Sequence, residues 1–236
     1  MTRTVLITGA SAGIGLAITR ECLQREFTVI GLARDFHKCS VKHDKFITRQ
    51  VDFSDLRRLP EQLQDIAQTY PQIDAVICNA GRGQFGSLEE FSYAQIQALM
   101  ELNFTSQAYV ARALISQLKR QGKGDLVFIG SEAALSGGRR GAIYSASKFA
   151  LRGLAQALRE ECARNNVRVS IVNPGMTATG FYDQLHFAPG ADASNHVTPE
   201  DVAAAVMTVI CMRPGTVIDE LTLTPQKKLI AFKSEK

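Results

Sequence analysis

No Cys-x-x-Cys pair occurs in this chain. Its five cysteines, Cys22, Cys39, Cys78, Cys162 and Cys211, are scattered and odd in number. They suggest neither a disulfide framework nor a zinc site, and a reducing cytoplasmic setting fits them. The four histidines lie apart without metal-ligand spacing, so no metal centre is expected. No run of lysine or arginine reaches the density of a nucleic-acid arm, and the net charge of +4 reads as a solvated surface rather than a binding face. The longest helical apolar run, Val202 to Met212, is too short to cross a bilayer, and no membrane association is expected. A strand beginning at residue 4 leaves no room for a secretory signal.

What is there is an ordinary globular balance, 45% apolar and 21% charged residues over 236 positions, enough for one α/β domain with a large core. Strand-like runs at 4–8, 28–33, 46–51, 74–78, 125–130, 167–172 and 216–223 alternate with helix-like runs at 13–25, 55–69, 93–120 (with a possible break), 142–164 and 199–212. That alternation predicts a single doubly wound domain over 1–236, a seven-stranded, mainly parallel sheet with helices on both faces. Strand ends at 8, 78, 130 and 172 run into Gly, Asn or Ser. In an open α/β sheet ligands sit beyond the carboxyl ends of strands, so the candidate functional residues converge on one rim. The least regular stretch, 179–198, reads as a surface loop or, from its place after Asn173-Pro174-Gly175, as a substrate lid.

Two motifs carry chemistry. The β-branched run Thr4–Thr8 leads into Gly9-Ala10-Ser11-Ala12-Gly13-Ile14-Gly15 and then a segment with helical apolar spacing. Glycines let the backbone turn tightly against a pyrophosphate, and the helix start supplies free N–H groups and partial positive charge. The spacing is Gly-x-x-x-Gly-x-Gly, not the commoner Gly-x-Gly-x-x-Gly. The second motif is Tyr144-x-x-x-Lys148. Positions i and i+4 share a helix face, so phenol and ammonium can point into one cleft. A nearby cation favours the phenolate and would draw a pKa of about 10 toward neutrality. Ser131, thirteen residues upstream at the end of the run Leu126–Ile129, could hold a substrate oxygen beside the phenol. Taken singly, the tyrosine–lysine pair is more simply an exposed helix pair, Ser131 a cap, and Asn103 a helix-kinking or capping amide.

Together, Thr8-Gly9-Ala10-Ser11-Ala12-Gly13-Ile14-Gly15, Cys78-Asn79-Ala80-Gly81, Asn103, Ser131, Tyr144-x-x-x-Lys148 and Asn173-Pro174-Gly175 resemble the short-chain dehydrogenase/reductase family, in its order and at its spacings, from residue 3 to about residue 224. The resemblance implies an enzyme interconverting a carbonyl and an alcohol by hydride transfer. It makes Tyr144 the acid/base, Lys148 the group that lowers its pKa and binds the nicotinamide ribose, Ser131 the holder of the substrate oxygen, and Asn103 part of a water-linked proton relay to Lys148. It places Gly9, Ser11, Gly13, Ile14, Gly15, Asp52, Phe53, Asn79, Ala80, Gly81, Tyr144, Lys148, Pro174, Gly175, Thr177 and Thr179 against the cofactor. Thr177 is a mild departure, because the family commonly has an aliphatic residue there.

The second strand ends Leu32-Ala33-Arg34-Asp35. Asp35, twenty residues after Gly15, is where a generic spacing rule would put a ribose-binding acid. In the family register that acid falls at Ala33, and the next position is Arg34, whose guanidinium suits a 2′-phosphate. The expected cofactor is therefore NADP(H), with a solvent-facing Arg34 as the plain alternative. Asp52 would then accept from the adenine amino group, or else cap the turn before Ser54. Arg139 and Arg140, just before Tyr144, are placed to face substrate or a partner subunit, with a solvated loop as the simpler reading. The partners expected are a small carbonyl or alcohol substrate and a second copy of the chain, as homodimer or homotetramer. A non-catalytic dinucleotide-binding regulator on the same fold is the alternative, and an intact Asn-Ser-Tyr-Lys set argues against it.

Overall fold

The computed structural model describes residues 3–233. Seven strands, β1 (Thr4–Thr8), β2 (Thr28–Ala33), β3 (Phe46–Gln50), β4 (Ala75–Cys78), β5 (Gly124–Ile129), β6 (Val167–Pro174) and β8 (Glu220–Leu223), form one sheet in the order β3-β2-β1-β4-β5-β6-β8. Every neighbouring pair is parallel. The order reverses between β1 and β4, which opens a crevice at their carboxyl ends.

Both faces of the sheet are apolar, because each strand alternates between two buried sides. Leu6, Ile30, Leu32, Val76, Leu126, Phe128, Val169 and Ile171 face α2 (Leu59–Thr69), α4 (Ser106–Gln121) and α5 (Ala142–Cys162). Val5, Ile7, Val29, Ala75, Ile77, Val127, Ile129 and Val172 face α1 (Gly13–Gln24) and α6 (Pro199–Ile210). Gly31 falls on the second face at the one point where a side chain cannot fit: a Cβ there would stand 2.6 Å from the Phe46 ring.

The expected boundaries shift for local reasons. The helix expected over 55–69 begins at Leu59, since Pro60 has no N–H and is tolerated only in a first turn. Residues upstream form a turn, with Leu59 N donating to Asp55 O. The run at 93–120 is α3 (Tyr93–Met100) and α4 joined by a π-helical turn, Glu101–Thr105. The last sheet strand starts at Glu220 rather than 216, where its pairing with β6 begins. The loop 179–198 is more ordered than a plain surface loop. It contains 3-10 turns at Gly180–Tyr182 and Ala193–Asn195, and β7 (Phe187–Pro189), which pairs antiparallel with β9 (Ile230–Phe232). No strand is expected from the sequence beyond residue 223, and β9 is a finding of the structure.

Candidate active site

The Gly-rich turn is built from β1 outward. Gly9 and Gly13 take φ +68° and +52°, the left-handed region that glycine alone enters without strain. A Cβ on Gly15 would sit 2.2 Å from Gly9 O and 2.7 Å from Asn79 Nδ2, so the helix start lies directly on the turn. Asn79, at the end of β4, donates through Nδ2 to Thr8 O (2.9 Å). Thr8 Oγ1 accepts from the backbone N–H of Asn79 (2.8 Å) and Ala80 (2.9 Å) and donates to Gln107 Oε1 (3.2 Å). These bonds pin the ends of β1 and β4 together at the strand-order reversal. No side chain caps α1 and no acid stands in its first turn, so its leading N–H groups and their partial positive charge face outward beside Ser11. Backbone held this close, ending in uncapped amides, fits a pyrophosphate. Ile14 packs partly against the core on this side.

At the end of β2, Ala33 is buried while Arg34 and Asp35 are exposed. Asp35 Oδ1 accepts from His37 N (2.7 Å), closing its own turn. Among the described residues Arg34 has no ion pair or hydrogen bond, and its charge is felt by Asp52. Asp52 accepts from Ser54 N (2.9 Å) and Ser54 Oγ (2.6 Å), and these bonds hold its carboxyl below the ordinary range. Phe53 places its ring in the core beneath. The cap role of Asp52 is therefore real, and Phe53 can offer a ligand only its backbone.

Ser131, Tyr144 and Lys148 meet where β5 ends and α5 begins. Ser131 N donates to Asn173 Oδ1 (3.2 Å), and Ser131 Oγ accepts from Ala133 N (3.1 Å), which leaves its own hydroxyl hydrogen unspent. Asn173 is fully buried, and its Nδ2 donates to Glu220 Oε1 (2.6 Å). Glu220 in turn accepts two parallel bonds from Arg152 on α5 (3.0 and 2.9 Å). A Cβ on Gly130 would lie 2.0 Å from Asn173 Oδ1, so glycine is required for this approach. Arg152 and Glu220 belong to no motif, and the sequence offers no signal that pairs residues 68 positions apart. Asn173 stands in the quoted motif, but the reason for it appears only in three dimensions.

Lys148 is buried and donates to Ile129 O (3.0 Å), with Nζ 5.9 Å from the centre of the Tyr144 ring. Burial lowers its pKa to about 8. Tyr144 is only 8% exposed. Burial raises its phenol to about 12, opposed by the Ser131 hydroxyl and reinforced by the charge of Glu132. The expected lowering of the phenol pKa is thus reversed. Desolvation dominates, and the ammonium's hydrogen-bond partner is the Ile129 carbonyl rather than the phenol oxygen.

Asn103 sits in the π-helical turn, fully buried. Its Oδ1 accepts from Arg82 N (2.9 Å), and its Nδ2 donates to Arg82 O (3.0 Å) and Ser147 Oγ (3.2 Å). Ser147 Oγ donates to Tyr144 O (2.7 Å). The amide therefore joins the loop after β4 to the helix carrying Tyr144. A Cβ on Gly81 would stand 3.0 Å from Asn103 Oδ1, so Gly81 admits this contact. After β6, Pro174 is buried and Gly175 N donates to Leu223 O (2.7 Å). Thr177 is buried too and donates to Gly175 O (3.0 Å), while Thr179 accepts from Phe181 N (3.2 Å) and lies against Gly13. Arg140 forms a two-pronged pair with Glu90 (2.8 and 3.0 Å), and Arg139 is exposed. Among the described residues no group of three or more His, Cys, Asp or Glu side chains could hold a metal, and no helix is long and apolar enough to cross a membrane.

A parallel sheet with this order and a serine–tyrosine–lysine set beside a glycine turn defines a nucleotide-dependent oxidoreductase architecture. The family model described as short chain dehydrogenase matches residues 3–187, and the chain belongs to that family. An uncharacterized oxidoreductase of Schizosaccharomyces pombe is 32% identical over 73% of this chain and 60% of its own length. The chain thus spans well under two thirds of that relative. The sepiapterin reductase of Chlorobaculum tepidum is 31% identical over 95% of this chain and 97% of its own. Among solved structures, an alcohol dehydrogenase from Thermococcus sibiricus complexed with 5-hydroxy-NADP aligns with a TM-score of 0.86 at 25% identity, covering 97% of this chain and 99% of that one.

Proposed function

We propose that this protein is an NADP(H)-dependent oxidoreductase that interconverts a small ketone or aldehyde and its alcohol, with Tyr144 as acid/base. The observation that carries the reading is the meeting of Ser131, Tyr144 and Lys148 on the rim that also bears the uncapped start of α1. Burial keeps the phenol protonated at neutral pH, so it holds a proton for a carbonyl oxygen. Ser131 has its hydroxyl hydrogen free to bond the same oxygen. Lys148, near its own titration point, is suited to return a proton toward the phenol and to bind a ribose hydroxyl. Asn103 spends its amide on Arg82 and Ser147, so a water-linked path to Lys148 would start from its backbone carbonyl. When bound, NADPH supplies the hydride, and the protein positions and protonates.

The cofactor would lie along Gly9, Ser11, Gly13, Ile14 and Gly15, with Arg34 on the 2′-phosphate. Asp52 and the Phe53 backbone would meet the adenine, Asn79, Ala80 and Gly81 the middle, and Pro174, Gly175, Thr177 and Thr179 the nicotinamide. The NADP-type ligand named for the archaeal alcohol dehydrogenase supports this choice, as does the unpaired, exposed Arg34 next to a buried Ala33. Loss of a charge-assisted contact at Arg34 costs about 1.5–3 kcal/mol. Titration of NADPH and NADH into the wild type and Arg34→Ala tests the assignment. NADPH should bind more tightly than NADH, and the preference should collapse in the variant. Equal affinities in the wild type would overturn it.

Assembly as a homodimer or homotetramer belongs to the same proposal. Its support is the outward face of α5, where Phe149 is 43% exposed. So does a reducing, cytoplasmic setting, since all five cysteines stay thiols and three of them are buried.

A further inference from the structure

Four aromatic rings gather around the catalytic phenol, in a chain with 7% aromatic residues. Phe85, from the loop after β4, lies 5.0 Å from the Tyr144 ring and 5.0 Å edge-on to Phe187. Phe181, from the turn after Thr179, lies 6.0 Å from Tyr144 and 5.0 Å from Tyr182. Tyr182 and Phe187 close the ring of contacts at 5.9 Å. The backbone makes room for them: a Cβ on Gly83 would stand 2.3 Å from the Phe181 ring and 2.9 Å from Phe85. The rings come from three separate segments, 85, 144 and 181–187, so the cluster is a product of the fold rather than of one aromatic stretch.

The charges around this cluster are already engaged with partners in the fold. Glu132, next to Ser131, raises the pKa of both Tyr144 and Tyr182 by its charge, so its carboxylate is within electrostatic reach of the two phenols. It is held by Lys228 at 2.7 Å. Arg140 is turned away onto Glu90. Lys148, beside the phenol, is bonded to Ile129 O, and the Lys233 ammonium is bonded to the Tyr182 and Asp183 carbonyls.

We propose that this aromatic cage selects the substrate, and that the preferred substrate is an uncharged carbonyl compound bearing an aromatic ring next to the carbonyl. The inference rests on the reductase reading and deepens it. A carbonyl oxygen at Ser131 and Tyr144 leaves its substituent against Phe85 and Phe181. An aryl group replaces ring–ring contacts with contacts of the same edge-to-face kind, whereas a saturated ring of equal size offers no quadrupole to match. A carboxylate or phosphate in the same place is desolvated near Glu132, while Lys228 is already paired with that carboxylate and Lys148 is bonded to Ile129 O.

The test compares an aryl methyl ketone (acetophenone), its saturated counterpart (cyclohexyl methyl ketone) and an aryl keto acid (phenylglyoxylate), following NADPH absorbance. In parallel, 1-phenylethanol and 1-cyclohexylethanol are titrated calorimetrically into NADPH-saturated protein, with which an alcohol cannot react. The aryl ketone should exceed the other two in kcat/KM by about tenfold or more, with the same order in alcohol affinity. In Phe85→Leu and Phe181→Leu, which keep apolar bulk but remove the ring, the aryl-to-cyclohexyl ratio should fall toward one. A wild-type ratio near one, a preference for the keto acid, or a ratio that survives both substitutions would overturn the cage while leaving the reductase reading intact. Failure of every ketone to oxidise NADPH, in protein that binds it, would overturn both.

Discussion

At the scale of single residues, the site is governed by burial. Lys148 carries a pKa of about 8 in the fold against about 10.4 in an unfolded chain. Between those values the unfolded state binds the extra proton, so this residue's contribution to stability rises with pH over that window. It is complete above about 10.4 and absent below 8. Tyr144 acts oppositely but higher: with its phenol raised to about 12, its contribution is full below about 10 and is lost as pH rises through 12. The buried thiols Cys22, Cys78 and Cys162, also raised by burial, alter stability between pH 8 and 10 as well, but equally in wild type and a lysine variant, so the difference between the two isolates Lys148. Chemical unfolding of wild type and Lys148→Met should show the variant's relative advantage shrinking by about 2 kcal/mol across that interval. A constant difference would mean that Lys148 is not desolvated.

The Tyr144–Lys148 spacing and the glycine turn were legible because each is local. The Gly9 and Gly13 conformations and the contact of Gly15 with Gly9 O follow from residues within a few positions, while the approach of Asn79 to Gly15 does not. The sign of the Tyr144 shift was not legible, because it depends on rings at 85 and 181 that shield the phenol. Nor was the line from Arg152 through Glu220 and Asn173 to Ser131, whose members are brought together only when β5, β6 and β8 pair.

At the scale of elements, the loop after β6 is tied to the end of the chain. Gly190 N donates to Leu229 O (3.0 Å), Lys227 N to Ser194 O (2.9 Å) and Lys233 N to His186 O (2.8 Å). Lys233 Nζ also reaches the carbonyls of Tyr182 and Asp183. The sequence signals this poorly: Ile230-Ala231-Phe232 is three residues long and exposed throughout, with no alternation to read. A chain ending at Gln226 loses every one of these bonds and keeps the seven-stranded sheet. Limited proteolysis should then cut within 180–196 faster than in the full chain, by about tenfold or more, since cleavage follows local opening. Unchanged cleavage would show that the strap does not restrain the loop. The break between α3 and α4 was partly legible as an interruption, but its π-helical form, which sets Asn103 inward, was not.

At the scale of the whole molecule, the parallel sheet and its two apolar faces follow from alternating strand and helix runs, each strand apolar on both sides, whereas the strand order is a finding of the structure. Association of copies is a separate matter. The proposed dimer or tetramer predicts that light scattering at micromolar concentration gives at least twice the monomer mass, 25.8 kDa. It also predicts that Phe149→Glu, on the outward face of α5, shifts the population to monomer. A wild-type monomer would reject it.

The central claim, that Tyr144 protonates a carbonyl as hydride is delivered, is tested most directly by following deuterium. With NADPH deuterated at C4 and an accepted ketone, the wild type should place deuterium on the carbinol carbon. Tyr144→Phe, which keeps the ring's packing, should bind NADPH as before and transfer the label about 10²–10⁴-fold more slowly. Label transfer at the wild-type rate in the variant, with an isotope effect showing that the hydride step limits turnover, would contradict the account.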